Sequence, residues 1–420
     1  MNDALDWQKQ HYLNGFAGIP PGIPIDFHRL ESAAQRVMSP QAFAYIAGGA
    51  GAENTVAGNR IGFEKFRIVP RMLRDVGERD TSIELFGDRL PSPFLLSPIG
   101  VLELVHKQAD VAVARAASTL GLPFIFSNQA SVPMEVCALA MGDTPRWFQL
   151  YWSKSNDLVK SFIARAEKCG CKAIVITLDT TLLGWRTRDL DLGYLPFLEG
   201  KGIAQYTSDP FFQKMMDEAD DDLPVKRQIT LQSLQGLIQM VSKYPGKGFF
   251  KKLRSKRPIK AVRKFISSYS NPRTTWEDLA VVRKVTKLPI LLKGILHPDD
   301  ATKAIACGMN GIIVSNHGGR QVDGAVSAIE VLPSIVKAVG DRVPIILDSG
   351  VRGGADAFKA IALGAKAVCI GRPYVYGLAL AGERGVYTVL RNYMADFELT
   401  MALAGCKNIG EIDPDSVIAG

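Results

Sequence analysis

The chain is poor in cysteine. Six residues (Cys137, Cys169, Cys171, Cys307, Cys369 and Cys406) among 420 are too few for a disulfide scaffold. None stands in a CxxC pair, so neither a zinc site nor a thioredoxin-like centre is expected, and no metal is assigned. Long apolar runs are missing too. Nothing approaches the ~18 consecutive apolar residues of a membrane span. The segment from Met1 to Gly15 carries Asp3, Asp6, Lys9 and His11 without a long apolar stretch, which argues against a secretory signal. The default compartment is therefore a reducing cytoplasm. No low-complexity tract occurs, and 47% hydrophobic with 22% charged residues excludes a disordered or fibrous chain.

The most local absence is of acid. From Leu223 to Trp276 there is no Asp or Glu, while 13 basic residues fall there: Lys226, Arg227, Lys243, Lys247, Lys251, Lys252, Arg254, Lys256, Arg257, Lys260, Arg263, Lys264 and Arg273. The remaining 37 basic residues are outnumbered by 42 acidic ones, so the net charge of +8 describes one segment and not the protein. Such a block suits phosphates, an anionic lipid surface, an acidic partner, or nothing beyond solvent. Phe249, Phe250 and Phe265 interleave with the charges and keep a membrane-surface contact through residues 223–276 among the readings. Nucleic acid is not expected as a partner.

What is present is a repeat of short apolar, β-branched runs ending in polar or glycine residues. They are Phe94–Ser97, Pro123–Ser127, Trp147–Tyr151, Ala173–Asp179, Pro289–Lys293, Gly311–Ser315, Val343–Asp348 and Ala367–Gly371. Helical periodicity fills the intervals over Asp110–Leu120, Asp157–Cys169, Trp276–Val285, Asp299–Cys307, Ser327–Val339 and Ala355–Leu363. Pro298-Asp299-Asp300 and Thr275-Trp276-Glu277-Asp278 open two of these, and Gly121, Gly170, Gly308, Gly340 and Gly364 close others. Eight strand–helix units with nearly continuous apolar strands predict an α/β fold, a closed (β/α)8 TIM barrel. The expected organisation is an N-terminal helical cap over 1–90, a barrel over 91–395 and a tail over 396–420. The connection after strand 4 holds a basic insertion over 191–273, longer than such connections usually run.

The active face of such a barrel is the C-terminal end of its strands. Those ends carry Ser97, Ser127-Asn128, Gln149 with Tyr151, Thr177 with Asp179, Lys293, Ser315-Asn316-His317, Asp348, and Gly371-Arg372. Any one of them could be an ordinary capping polar group. Asp348-Ser349-Gly350-Val351-Arg352-Gly353-Gly354 and Gly371-Arg372-Pro373 together suit a phosphate, which glycine backbone can approach and arginine can grip in a fork. That pattern fits FMN, a sugar phosphate or a nucleotide equally well. No GxGxxG follows the first strand, which disfavours a dinucleotide. The sharpest motif is Ser315-Asn316-His317-Gly318-Gly319-Arg320-Gln321. His317 is suited to taking a proton near neutral pH, and Arg320 to binding a carboxylate at two points.

These residues resemble the FMN-dependent L-2-hydroxy acid oxidases and dehydrogenases, a family that includes glycolate and lactate oxidases. The likeness covers the chain except about 200–270, and within the family it is greatest to the lactate 2-monooxygenase type. Further segments that carry it are Tyr45-Ile46-Ala47-Gly48-Gly49, Pro70-Arg71-Met72-Leu73, Ser97-Pro98-Ile99-Gly100-Val101, Leu178-Asp179-Thr180, Gly184-Trp185-Arg186, and Asp209-Pro210-Phe211-Phe212-Gln213-Lys214. The resemblance implies FMN as cofactor and His317 as the base, with Asp179 stabilising its protonated form. It implies that Arg186, Arg320 and Tyr45 hold the substrate carboxylate and Tyr151 the substrate hydroxyl. Lys293 would face the edge of the flavin that gains negative charge on reduction. Pro98, Ile99, Gly100, Ser127, Gln149, Thr177 and Ser315 would hold the flavin ring or its surroundings, and Asp348 the ribityl chain. Gly350, Arg352, Gly371 and Arg372 would hold the phosphate. A four-fold ring is also implied, as a homotetramer or a doubled homo-octamer.

Two positions depart from the family pattern. Gln129 stands where many relatives have an aromatic residue, which implies an altered substrate pocket. Gly100 replaces an alanine, and the lost methyl would open space for oxygen. Trp152 and Trp185 are expected as pocket walls or plain core. The leading expectation is oxidation of a short L-2-hydroxy acid, L-lactate foremost, by oxygen with oxidative decarboxylation. The alternatives are an oxidase releasing keto acid and hydrogen peroxide, a membrane-associated quinone-linked dehydrogenase, and a non-catalytic flavoprotein.

Overall fold

A computed structural model describes residues 4–218 and 230–420. Lys226, Arg227 and the part of the expected insertion over 219–229 lie outside the described residues.

Eight parallel strands close into a barrel in sequence order. They are β1 (Phe94–Leu96), β2 (Phe124–Phe126), β3 (Arg146–Tyr151), β4 (Ile174–Thr177), β5 (Ile290–Ile295), β6 (Gly311–Val314), β7 (Ile345–Leu347) and β8 (Ala367–Ile370). β8 pairs with β1 and closes the ring. The side chains of the strands are almost all buried, because those pointing out meet helices and those pointing in meet each other. The inner cluster holds Leu95, Ile125, Trp147, Val175, Leu291, Ile313 and Ile346. The barrel is thus a packed core, with room for chemistry only at its ends.

Register decides what that end displays. Tyr151 on β3 pairs with Thr177 on β4, and Thr177 with Lys293 on β5, so three polar residues lie in one row at the C-terminal rim. A bulge follows in β5 between Lys293 and Ile295. Gly294 sits there at φ 105°, and a Cβ on it would come within 2.9 Å of the Cβ of Asp179. A side chain at this position would push Asp179 out of place.

Around the barrel, helices occur at Ala109–Leu120, Asn156–Lys168, Pro298–Ala306, Ala328–Val339 and Gly354–Ala362, each within a residue of expectation. The expected helix Trp276–Val285 begins only at Leu279, since Asp278 accepts from the Thr275 N–H at 2.7 Å and holds a turn ahead of it. A helix at Met134–Met141 was missed; its apolar residues run all round it and give no amphipathic stripe. Four helices between Ala4 and Glu64 precede the barrel. The last helix, Arg372–Leu403, bends at Ala381–Gly382 and runs through position 395, where a boundary was expected.

The β4–β5 connection is itself helical, with segments that include Pro210–Met215, Leu231–Lys243, Phe249–Ser255 and Arg257–Ser268. Asp209 anchors it. This buried carboxylate caps its own helix through the Phe211 and Phe212 N–H groups and takes bonds from Ser161 and Arg165 on the helix Asn156–Lys168. No helix among the described residues is long and apolar enough to cross a membrane.

Candidate active site

At the C-terminal rim the strands surround a cavity of about 970 Å³ that opens to solvent. Such a volume falls among ordinary small-molecule sites. Tyr45, Pro98, Ile99, Gly100, Tyr151, Arg186, Lys293, His317, Arg320, Asp348, Gly350, Arg352, Gly371 and Arg372 all line it. Five other expected residues do not. Ser127, Gln149, Thr177, Asp179 and Ser315 stand behind the lining and brace it.

The sharpest feature is a dyad. His317 follows β6 at φ 57°, a left-handed backbone that side chains seldom adopt. That turn aims Nδ1 at Asp179 Oδ1, 2.7 Å away, and leaves Nε2 for the cavity. The Thr180 hydroxyl lies 3.0 Å from the same carboxylate oxygen and 3.3 Å from Nδ1. Gln321 fixes the Asp179 backbone through a 2.7 Å bond to its carbonyl and accepts from Arg186 at 3.1 Å. Burial pushes the Asp179 carboxyl up, but His317, Lys293 and the Thr180 hydroxyl together outweigh it and hold the group below its usual range. Burial lowers the His317 pKa, opposed by Asp179 and aided by Lys293 and Arg186. The imidazole is therefore neutral near pH 7, with an ionised carboxylate ready to pair with it once it takes a proton.

A second network crosses the barrel mouth. Lys293 Nζ lies 2.9 Å from Ser315 Oγ and 3.0 Å from Asp348 Oδ2. Ser315 and Ser97 donate to the two Asp348 oxygens at 2.6 and 2.7 Å. Burial disfavours the Lys293 charge, yet Asp348 and Asp179 more than offset it, so the ammonium persists. On the other side Gln149 donates to Thr177 Oγ1 at 3.0 Å and accepts from Ser127 at 3.2 Å. Burial pushes the Tyr151 phenol up to about 12, which keeps it a proton donor.

The arginines are short of negative charge. Among the described residues, none of Arg186, Arg320, Arg352 and Arg372 has a carboxylate within 4.0 Å. Burial, and then Arg186, lower Arg320 to about 9. Burial, and then Arg372, lower Arg352 to about 10. Arg320 lies over the Tyr45 ring and donates to the Gly48 carbonyl at 2.8 Å. Arg372 spends three donors on the carbonyls of Ile46, Gly48 and Gly318. Arg352 lies 4.4 Å over the Phe27 ring, and its buried Nε has no partner. Buried cations left in this state call for an anion. Two anions are accommodated, one beside Arg186 and Arg320 and one beside Arg352 and Arg372.

Several lining residues went unassigned in the sequence. Ser97 and Ser349 stand at strand ends, where a polar residue was the available signal. Leu183, Phe197 and Tyr269 come from the β4–β5 connection, and nothing in their local sequence marks them as cavity residues. Trp152 and Trp185 do not line the cavity. Trp152 is buried elsewhere and Trp185 is 72% exposed. The space expected at Gly100 is not open either. A Cβ there would meet the Cβ and carbonyl oxygen of Gln129, each at 3.1 Å, so the missing methyl makes room for Gln129.

Fold and site together define a (β/α)8 enzyme that holds a phosphorylated cofactor and a small organic anion beside a buried base. The family model described as FMN-dependent dehydrogenase matches residues 34–419. An L-lactate oxidase of Lysinibacillus sphaericus (strain C3-41) is 42% identical, over 92% of this chain and 91% of its own. The 2-Hydroxyacid oxidase 1 of Homo sapiens is 38% identical, over 91% and 93%. A mandelate oxidase structure with (S)-4-hydroxymandelic acid has a TM-score of 0.77 at 34% identity, covering 94% of this chain and 99% of that one. The chain belongs to the FMN-dependent dehydrogenase family, as an FMN-dependent 2-hydroxy acid oxidoreductase.

The electrostatics give a pH prediction. A base must be unprotonated to act, so kcat/KM should fall as pH drops through the His317 pKa, which lies below the ordinary 6.5. Asp179 raises that pKa, so Asp179→Asn should move the acid limb to still lower pH while slowing turnover. An acid limb that moves upward in the variant would contradict the pairing.

Proposed function

We propose that this protein oxidises a short L-2-hydroxy acid, L-lactate foremost, with oxygen as acceptor, and decarboxylates the product before it leaves. The observation that carries the reading is one cavity holding the His317–Asp179 dyad together with two guanidiniums, Arg186 and Arg320, that lack a carboxylate. The substrate carboxylate would lie between those guanidiniums, with the Tyr45 hydroxyl as a further donor. The Tyr151 phenol would hold the substrate hydroxyl. His317 Nε2 would take the proton released in oxidation, and Asp179 would stabilise the resulting imidazolium. FMN supplies the acceptor for the two electrons. Asp348, braced by Ser97 and Ser315, would bind the ribityl hydroxyls, and Arg352, Arg372, Gly350 and Gly371 the phosphate. Pro98, Ile99 and Gly100 line the ring's side of the cavity, with Ser127, Gln149 and Thr177 behind. The Lys293 ammonium would stabilise negative charge gained there on reduction.

Decarboxylation needs the keto acid and peroxide to stay together. Pyruvate plus hydrogen peroxide then gives acetate, CO2 and water. Leu183, Phe197 and Tyr269, carried over the cavity by the long connection, support retention by narrowing the exit. A second reading, release of keto acid and peroxide, is favoured by the occupied space at Gly100 and by relatives named as oxidases. Assay of the products of aerobic lactate turnover separates them. Acetate equal to lactate consumed, with little peroxide, is expected; stoichiometric pyruvate and peroxide would overturn the decarboxylating form. The six free cysteines fit the cytoplasmic setting proposed for this enzyme, which we take to be a homotetramer or homo-octamer.

A further inference from the structure

The β4–β5 connection displays an apolar surface that catalysis does not use. On the helix Leu231–Lys243, Leu231, Leu234 and Ile238 are exposed. Their spacing of three and then four residues puts them on one face. The same helix turns Val241 inward, where it is 1% exposed, so its apolar residues form two faces and only one is covered. The adjoining helix Phe249–Ser255 exposes Phe250 at 82% and Leu253 one turn on. Large apolar side chains held in water next to one another are uncommon away from interaction surfaces.

Exposed cations stand among them. Lys247, Lys251, Arg254 and Lys256 are all exposed, and none has a carboxylate partner among the described residues. The acids just ahead of the block are used elsewhere: Asp217 pairs with Arg257 and Glu218 with Lys264. Lys243 is drawn the other way, onto the barrel's Glu103. What remains is an apolar face with an uncompensated positive rim.

We propose that the helices Leu231–Lys243 and Phe249–Ser255 form a docking surface for an anionic lipid bilayer. The rim would meet negative headgroups, and Phe250, Leu253 and the leucine–isoleucine stripe would enter the boundary with the acyl chains. Charge complementarity selects this occupant. A second copy of this chain would bring four more uncompensated cations against the first four. A soluble polyanion would satisfy the charges and leave the apolar face in water.

The test is flotation of the intact holoenzyme with vesicles of phosphatidylcholine containing about a third phosphatidylglycerol, against pure phosphatidylcholine, at low salt. The expected result is binding to the anionic vesicles alone, released at high salt as the charges are screened. Phe250→Ser with Leu253→Ser, and separately Lys247, Lys251, Arg254 and Lys256 each replaced by Glu, should lower the bound fraction at least tenfold. Flavin content and lactate turnover in solution should be unchanged in both variants. Failure of the parent enzyme to float at low salt would overturn the proposal, as would unaltered binding by the charge-reversed variant. So would retention on heparin without vesicle binding. A smaller assembly of the Phe250→Ser, Leu253→Ser variant by light scattering would assign the face to contact between copies instead, and equally overturn it.

Discussion

Replacing His317 by Gln is expected to leave a folded, yellow protein whose flavin is reduced by lactate roughly 10²–10⁴ times more slowly, the usual contribution of a positioned general base. Nothing else in the cavity can take over the task. Tyr151 holds its proton to about pH 12. Lys293 is kept protonated by Asp348 and Asp179, and the lining arginines are cations. Asp179 is turned away, with one oxygen on His317 and Thr180, and does not line the cavity. Flavin binding should survive, because the Lys293–Ser315–Asp348–Ser97 network and the Arg352–Arg372 end do not depend on the imidazole ring. Stopped-flow absorbance of the oxidised flavin checks this. Reduction at the parent rate would remove His317 from its role.

Replacing Arg186 by Met should separate substrate capture from stability. Removing one partner of a buried charged contact costs about 2–5 kcal/mol, which corresponds to a loss in kcat/KM of roughly 30- to 5,000-fold. Removal should not weaken the fold of the unliganded enzyme, because Arg186 is one of the groups that depress the Arg320 charge. With the like charge gone, Arg320 is easier to keep ionised. The expected pattern is a large rise in KM for lactate with the flavin spectrum and Tm preserved. Saturation at the parent concentration would contradict the carboxylate-binding role. A large drop in Tm would show that the guanidinium is chiefly a brace for Gln321 and the Arg320 carbonyl, which it touches at 3.1 and 3.4 Å.

The barrel was legible because its signals are local. A strand buried on both faces must be apolar throughout, and a surface helix must carry a stripe, so eight alternations could be counted from residue types. The exceptions have local causes as well. Met134–Met141 is apolar all round and lacks a stripe, and Asp278 delays the start of Leu279–Val285. The strand-end rule likewise found Lys293, His317, Asp348 and Arg372, because parallel strands in one register bring their ends to one face. It did not distinguish residues that face the cavity from those behind it. Ser127, Gln149, Thr177, Asp179 and Ser315 stand one layer back, a matter of side-chain direction and not of position along the strand.

The sequence by itself determined the architecture, the flavin family and the types of group at the rim, since periodicity and motif spacing are properties of neighbouring residues. Only the tertiary structure decided which groups touch. Asp179 and His317 are 138 positions apart and meet at 2.7 Å, because β4 and β6 flank β5 and Gly294 leaves the gap between them open. Gly100 was read as an opening until the fold set Gln129 against it. Phe197 and Tyr269 reach the cavity only through the path of the long connection. Contacts of this kind depend on how far apart the chain brings its elements, and that distance is not encoded in any one stretch of residues.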